Sequence, residues 1–440
     1  MNPSWVFVLL FGLAHATPGE EFSQTKLDNC HQRRGPSATG FNPKADPPVH
    51  WGPGQNIKWQ APIPGKGSAS PIVWGDQVFV LTAVSTDRQA DPSAIAKPDP
   101  QKKTTAPTNY YQFVVMAFDR ATGKLRWQQV AAEQVPHEGH HPSHSYAGGS
   151  PTTDGRFLYV SFGSFGNYCY TLDGKLVWKR DLGRMNTRLG WGEAVTPVIH
   201  GDSLLLNWDQ EGSSALYCLD AATGATRWCT PRDEHTTWTT PLVIPHGGTS
   251  QVVMNGTNRI RSYDLSTGKE IWECGGMTVN SIPSPVPGNG IVYCMSGYTG
   301  SAALALPLDL TGDVTEQSKY LWKHTAGTPY VASPLLFNDR LYFTKVLEPM
   351  LTVLDVKTGK PIIDRERLPN VSTFYSSPVA AAGRIYMVDR DGTTLVLKEG
   401  DKLEVLAVNR LNEPIDASPA LVGKQLFLRS EHSLFCIEDQ

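Results

Sequence analysis

Short runs in which apolar residues alternate with polar or β-branched ones recur along most of this chain, and no stretch between them sustains a 3.6-residue period. Such runs, bounded by Gly, Pro, Asn and Asp, predict the strands of an all-β protein. Two phrases punctuate them. The first is complete at Asp119 to Trp127, Asp220 to Trp228 and Asp264 to Trp272, where an Asp closes a run, Thr-Gly follows, and a return run ends in Trp. Shorter or eroded forms stand at Asp173 to Trp178, Asp309 to Trp322 and Asp355 to Ile363. A Gly free to take positive φ makes this a hairpin turn, whose return strand brings an indole back against the sheet.

The second phrase is Ser or Thr followed by Pro and an apolar run, at Ser70, Ser150, Thr196, Thr240, Ser284, Ser333, Ser377 and Ser418. Its spacing is 41 to 49 residues after a first interval of 80. That period suits a four-stranded propeller blade, and the long first interval holds an insertion. The chain is therefore expected to be an eight-bladed β-propeller of four-stranded blades over residues 56–440. Asn56 to Ile63 has the look of a return strand with no hairpin before it, and the last repeat, ending at Ser433 to Ile437, has no return strand after it. The amino-terminal segment is expected to complete the final blade, which hides the edges that an open ring would expose.

The indoles at 127, 178, 228, 272, 322 and, by closure, 59 are expected to pack between blades, where each buries about 150 Å² or more. Blades seven and eight are expected to use Ile363 and Leu406 instead, giving weaker interfaces. Residues 84–109, rich in Pro, Lys and Thr, are too polar to add core and are expected to extrude as a loop from the first blade. Residues 17–55 form a polar leader with no strand signal. Residues 1–16 carry an apolar core ending in Ala14-His15-Ala16, the small-x-small form of a secretory cleavage site, so an exported, periplasmic or secreted chain is expected. That run is too short to span a bilayer, for which ~20 residues are needed.

Composition adds three limits. With 40 Gly and 33 Pro the chain suits many turns, and 12 Trp is explained by a repeat that carries one. A formal net charge of −3, with no basic cluster, argues against a nucleic-acid partner. Seven cysteines include no C-x-x-C, so a zinc knuckle or thioredoxin-type site has no support. They are read as small buried hydrophobes, with Cys218 and Cys229 as candidate cross-strand neighbours.

Together the Thr-Gly hairpin ending in Trp and the Ser-Pro strand starts resemble the pyrroloquinoline-quinone-like repeat family of propellers, over about residues 56–440. The stretch Arg34 to Gly40, with Trp59 and Ser70-Pro71, is further similar to an exported subgroup of unassigned activity. The resemblance implies two kinds of function. Some members are dehydrogenases that hold pyrroloquinoline quinone on the axis between a Trp and a vicinal disulfide, with Ca²⁺ on carboxylate and amide ligands and an Asp as base. This chain has no adjacent cysteines and is shorter than those enzymes. Another kind is a lipid-anchored propeller of outer-membrane assembly that binds protein partners; Cys30 lies in no lipobox, so such anchoring is not expected.

Loops before each Ser-Pro phrase should converge near the axis on one face, where propeller ligands bind. The richest carries His137, Glu138, His140, His141, His144 and Tyr146. Its four imidazoles could hold a transition metal, line a polar ligand site without metal, or be solvated. His137-Glu138-Gly-His140 is one residue short of zincin spacing, so protease chemistry has little support. The other loops at this face supply Arg188, Trp191, Glu193, His235, Thr237, Trp238, Asn280, Tyr330, Phe374, Tyr375, Glu413 and Asp416. Trp191, Trp238, Tyr330 and Tyr375 are candidates for a ligand or cofactor wall. Glu193 and Asp416 are candidates for a base, and with Glu413 for calcium ligands. The first expectation is a monomeric binding module that engages a small molecule or protein at this face. The alternative is an oxidoreductase dependent on pyrroloquinoline quinone and calcium, or on a transition metal.

Overall fold

A computed structural model describes residues 18–439 except 96, 98, 317, 318 and 346; the expected signal segment lies outside the described residues. Eight sheets of antiparallel strands stand in a ring, all but the last ordered from an inner to an outer strand as the chain runs. Blade one, Ile72–Trp74, Gln77–Gln89, Asn109–Asp119 and Leu125–Gln134, sets the pattern. The last blade takes Ala420–Val422, Gln425–Arg429 and Ser433–Ile437 from the carboxy terminus, and its outer strand is Ile57–Pro62. Trp59 lies opposite Cys436 and Gln60 opposite Phe435, so the ends of the chain close the ring as expected. Blade four carries a fifth strand. Gly312–Asp313, from an excursion in blade five, pairs parallel with the outer strand Glu270–Cys274.

The Thr-Gly phrase has a second cause beyond its turn. Trp178 of blade two donates Nε1 to the carbonyl of Ala221 in blade three at 2.9 Å, and its ring lies against Gly224. A Cβ at Gly224 would come within 2.8 Å of the Trp178 ring, and the residue sits at φ +70°. The same pairing joins Trp59 to Arg120, Trp127 to Leu172, Trp228 to Leu265 and Trp322 to Val356, at 2.7 to 3.0 Å. Each indole thus caps the hairpin turn of the next blade. Trp272 departs from the series and bonds Gln251 of its own blade, because Thr311-Gly312 of blade five leaves the hairpin position and pairs along Trp272 and Glu273 as the added strand.

Ile363 and Leu406 belong to blades six and seven, since Trp59 serves blade eight. The leader reinforces that sector. Trp51 is buried in the cluster shared by blades seven and eight and stacks over Tyr386 with centroids 6.3 Å apart. Phe41 packs on Phe337 at 4.6 Å, against the cluster of blades six and seven.

The inner edge is held by the second phrase. The N–H of Ser70 donates to the hydroxyl of Ser150, Ser150 to Thr196, Thr240 to Ser284, Ser284 to Ser333, Ser333 to Ser377, Ser377 to Ser418, and Ser418 to Ser70. These distances run from 2.9 to 3.3 Å. The following Pro has no N–H to satisfy, so at each position but Thr196 one side chain of the next blade settles the amide that precedes the inner strand.

Residues 84–109 are less of an excursion than their composition implies. The second strand continues to Gln89 and the third begins at Asn109. The tip returns to the ring, where Lys103 N bonds Leu189 O at 2.9 Å and Thr104 bonds Gly190 O at 2.5 Å. All seven cysteines are unpaired, and Cys229 alone among them is exposed. Cys218 faces Trp228 across the hairpin and Cys229 faces Tyr217, so the two sulfurs are not directly opposed. Replacing Gly224 by Ala should cost about 2 kcal/mol, from overpacking against Trp178 and the loss of a left-handed turn residue. Thermal and urea unfolding of Gly224→Ala against wild type measures it; an unchanged midpoint would remove the interlock from the argument.

Candidate functional site: an axial cavity

The loops that precede the Ser-Pro phrases line the mouth of a cavity of about 390 Å³ on the ring axis. Its floor is made by the ring itself. Ser70, Ser150, Thr196, Thr240 and Ser418 face it, together with Arg33 of the leader. The leader reaches the axis from the end where inner and second strands join. Cys30 exchanges two backbone bonds with Val73 of blade one, and Asn42 donates to Ala380 of blade seven. Between those anchors Arg33 reaches into the channel, donating to the hydroxyls of Ser284 at 3.2 Å, Ser377 at 3.1 Å and Ser333 at 3.5 Å.

Above the floor stands an aromatic wall. Trp191 and Trp238 lie 6.5 Å apart at 30°, and Trp238 Nε1 is held by the carbonyl of Gly192 at 2.8 Å. His141 meets Trp191 edge-on at 5.9 Å, Tyr298 meets it at 6.2 Å, and Tyr330 lies 4.6 Å beyond Tyr298. On the opposite side the Arg390 guanidinium covers Tyr375 at 4.1 Å and grips Asp416 at 2.7 and 3.2 Å. Apolar rings with a few polar groups are the makeup of a small-molecule pocket.

The expected wall residues Trp191, Trp238, Tyr330 and Tyr375 all border this cavity, as do His141, His144 and Asp416. The other candidates lie elsewhere. Glu193 turns its buried carboxyl to Ser164, accepting from N at 2.7 Å and Oγ at 2.6 Å. Glu413 accepts from Gln60, Ser430 and Ser433. His235 bonds Glu211, Thr237 bonds Asp209, and Phe374 is core.

The four imidazoles do not share a centre. His137 Nε2 meets Met185 O at 2.8 Å, His140 Nδ1 meets His141 O at 2.8 Å, His141 Nδ1 meets Ser143 Oγ at 2.7 Å, and His144 Nε2 meets Glu193 O at 3.0 Å. Burial lowers the pKa of all four, that of His144 to about 4, so they are neutral at physiological pH. Ligand atoms do gather within 4.8 Å at His137, Glu138 and Glu193. There Lys102 already neutralises Glu138 at 2.8 Å, and Thr187 donates to it.

Nor do the residues fit a quinone held with calcium. No cysteine borders the cavity, and its one carboxylate, Asp416, is committed to Arg390. Sequence reasoning missed Arg33, Tyr298 and the hydroxyl floor. The Ser-Pro spacing was the available signal for the floor; nothing local marked Arg33 beyond a basic pair in a polar leader.

A family model described as outer membrane protein assembly factor BamB matches residues 111–303 and 168–405. The outer membrane protein assembly factor BamB of Yersinia pestis is 24% identical over 295 residues, which is 65% of this chain and 59% of that protein. The match thus spans under two thirds of that relative's length. The crystal structure of BamB from Moraxella catarrhalis superposes with a TM-score of 0.50 at 15% identity, over 81% of this chain and all of that one. The quinohemoprotein alcohol dehydrogenase from Comamonas testosteroni superposes at 0.62 with 9% identity, over 96% of this chain and 84% of the other. At such identities the two structures speak for the fold.

Glu193 yields a pH test. Burial raises its carboxyl pKa from 4.5 to about 8, against the two bonds from Ser164 that lower it. The folded state keeps a proton that the unfolded chain releases near its ordinary value, so wild type loses stability as pH rises from about 4.5 to 8. Glu193→Gln should therefore gain melting temperature over wild type progressively from pH 5 to 8.5. Parallel curves of melting temperature against pH would mean that Glu193 titrates normally.

Proposed function

The chain belongs to the family described as outer membrane protein assembly factor BamB, and from that premise we propose that it is an exported propeller whose axial cavity binds a small ligand. The observation that carries this reading is the cavity, about 390 Å³ deep on the axis, walled by Trp191, Trp238, Tyr298, Tyr330 and Tyr375 above a floor of hydroxyls. Volumes of 300–1,000 Å³ with apolar rings and few polar groups are usual for ligand sites. The export rests on the apolar segment and Ala14-His15-Ala16; among the described residues no helix is long and apolar enough to cross a membrane.

A second reading, a protein partner at the same face, has its own support. The Yersinia pestis relative is an outer membrane protein assembly factor, and two large apolar side chains stand free at the cavity rim. Leu347 is 68% exposed and Tyr298 41%. The oxidoreductase reading has the likeness of fold to an alcohol dehydrogenase but lacks a donor set at the cavity.

A thermal-shift screen of small aromatic compounds decides between the first two readings. Hits are expected, and Trp191→Ala should weaken them by tenfold or more. Stabilisation that survives Trp191→Ala and Tyr330→Ala would move the ligand out of the cavity, and a screen without hits, against a partner whose binding Leu347→Asp abolishes, would favour the protein. Reconstitution with pyrroloquinoline quinone and Ca²⁺ should give no dye-linked alcohol oxidation; turnover would restore the oxidoreductase.

A further inference from the structure

The floor of the cavity has a charge that its walls do not answer. Arg33 lies deep in the channel, where burial draws its pKa down to about 10 and still leaves it cationic at neutral pH. It is not closed over, for part of its surface remains open and borders the cavity. Among the described residues no carboxylate pairs with it; its three recorded partners are the hydroxyls of Ser284, Ser333 and Ser377. A cation so desolvated is costly without a counter-charge.

The hydroxyl ring divides accordingly. Ser284, Ser333 and Ser377 each accept from a blade amide and again from Arg33, which lies over them, and they are not part of the cavity lining. On the other arc Ser70, Ser150, Thr196 and Ser418 accept only a blade amide. Their O–H groups donate to no acceptor among the described residues, and all four are buried and border the cavity. A hydroxyl whose oxygen already takes an amide has its proton left to offer. The floor thus presents one full positive charge beside an arc of donors.

The walls add no net charge. Asp416 is gripped by Arg390, and the His141 and His144 rings are neutral. Charge-assisted bonds to a carboxylate are the strong ones, and a guanidinium forks to meet both of its oxygens.

We propose that the cavity takes an aromatic monocarboxylate, its carboxylate on Arg33 and the Ser70–Ser418 arc of the floor and its rings along Trp191 and Trp238. This deepens the small-ligand reading and rests on it. Among the residues that border the cavity Arg33 is the one charge without a counter-ion, which selects a monoanion, and the faces of the two tilted indoles select a planar body.

Titration of the purified protein by calorimetry and tryptophan fluorescence tests this, with 2-naphthoate against the isosteric 2-naphthamide at pH 7. The acid should bind at least tenfold more tightly than the amide. Arg33→Gln should abolish that preference by bringing acid binding down to the level of the amide, and Arg33→Lys should keep part of it. Naphthalene-2,6-dicarboxylate should bind no more tightly than 2-naphthoate. Equal binding of acid and amide, or a preference that survives Arg33→Gln, would overturn the anion site and leave the small-ligand reading standing. Tighter binding of the dicarboxylate would overturn the single-charge assignment. Binding of neither probe overturns the inference, and the aromatic screen then decides whether the cavity binds ligands at all. If both Arg33 variants fail to fold, the acid-to-amide ratio in wild type remains decisive.

Discussion

Everything near the axis depends on one backbone amide per blade. The N–H of the Ser or Thr before each inner strand lies ahead of the sheet ladder, in a crowded channel where an unpaired donor would cost about 1–3 kcal/mol. The neighbouring blade's hydroxyl meets it, and seven such bonds are recorded around the ring, the one from Ser418 to Ser70 crossing the seam between the last blade and the first. Since each hydroxyl serves the blade before it, the bonds run around the ring and, among the described residues, break only between Thr196 and Thr240, so shifting any blade unpairs at least one amide.

The outer rim is joined by a different device with the same logic. An indole from one blade donates to the turn of the next and lies on its Gly. Contact area comes from the ring, direction from the N–H, and the close approach from the missing Cβ. Where the outer strand has no indole, in blades six and seven, the leader supplies apolar bulk through Phe41 and Trp51. A segment without strands of its own is therefore fixed in place by gaps that the repeat left.

Much of this was legible in the chain because repetition magnifies weak local signals. One Thr-Gly pair says turn; three with an indole at the same distance, and three eroded forms beside them, say hairpins of a common design, and Asn56 to Ile63 betrayed the closure by being a return strand without an outgoing one. The wall residues Trp191, Trp238, Tyr330 and Tyr375 followed from topology, since the loops before each Ser-Pro phrase had to meet at the axis. What escaped was what repetition does not encode. Tyr298 sits on a loop between second and third strands, which carries no repeated phrase, although it shares the same face. Arg33 acts through a path that links blades one and seven, and no periodicity announces a unique crossing. The direction in which Glu193 and the four imidazoles turn was likewise set by single neighbours, Ser164, Met185 and Ser143 among them.

The same hydroxyls that lock the ring also make the floor of the cavity, which ties recognition to architecture. In an eightfold ring of equivalent Ser-Pro starts the channel would be close to symmetric, and no side of it would differ in charge. Arg33 breaks that equivalence by covering Ser284, Ser333 and Ser377 and leaving the hydroxyls of the opposite arc to face the cavity. It can do so only because the leader is held at both ends, by Val73 on one side of the axis and Ala380 on the other. The polarity of the site thus follows from where a non-repeating strand of chain was forced to cross a repeating one.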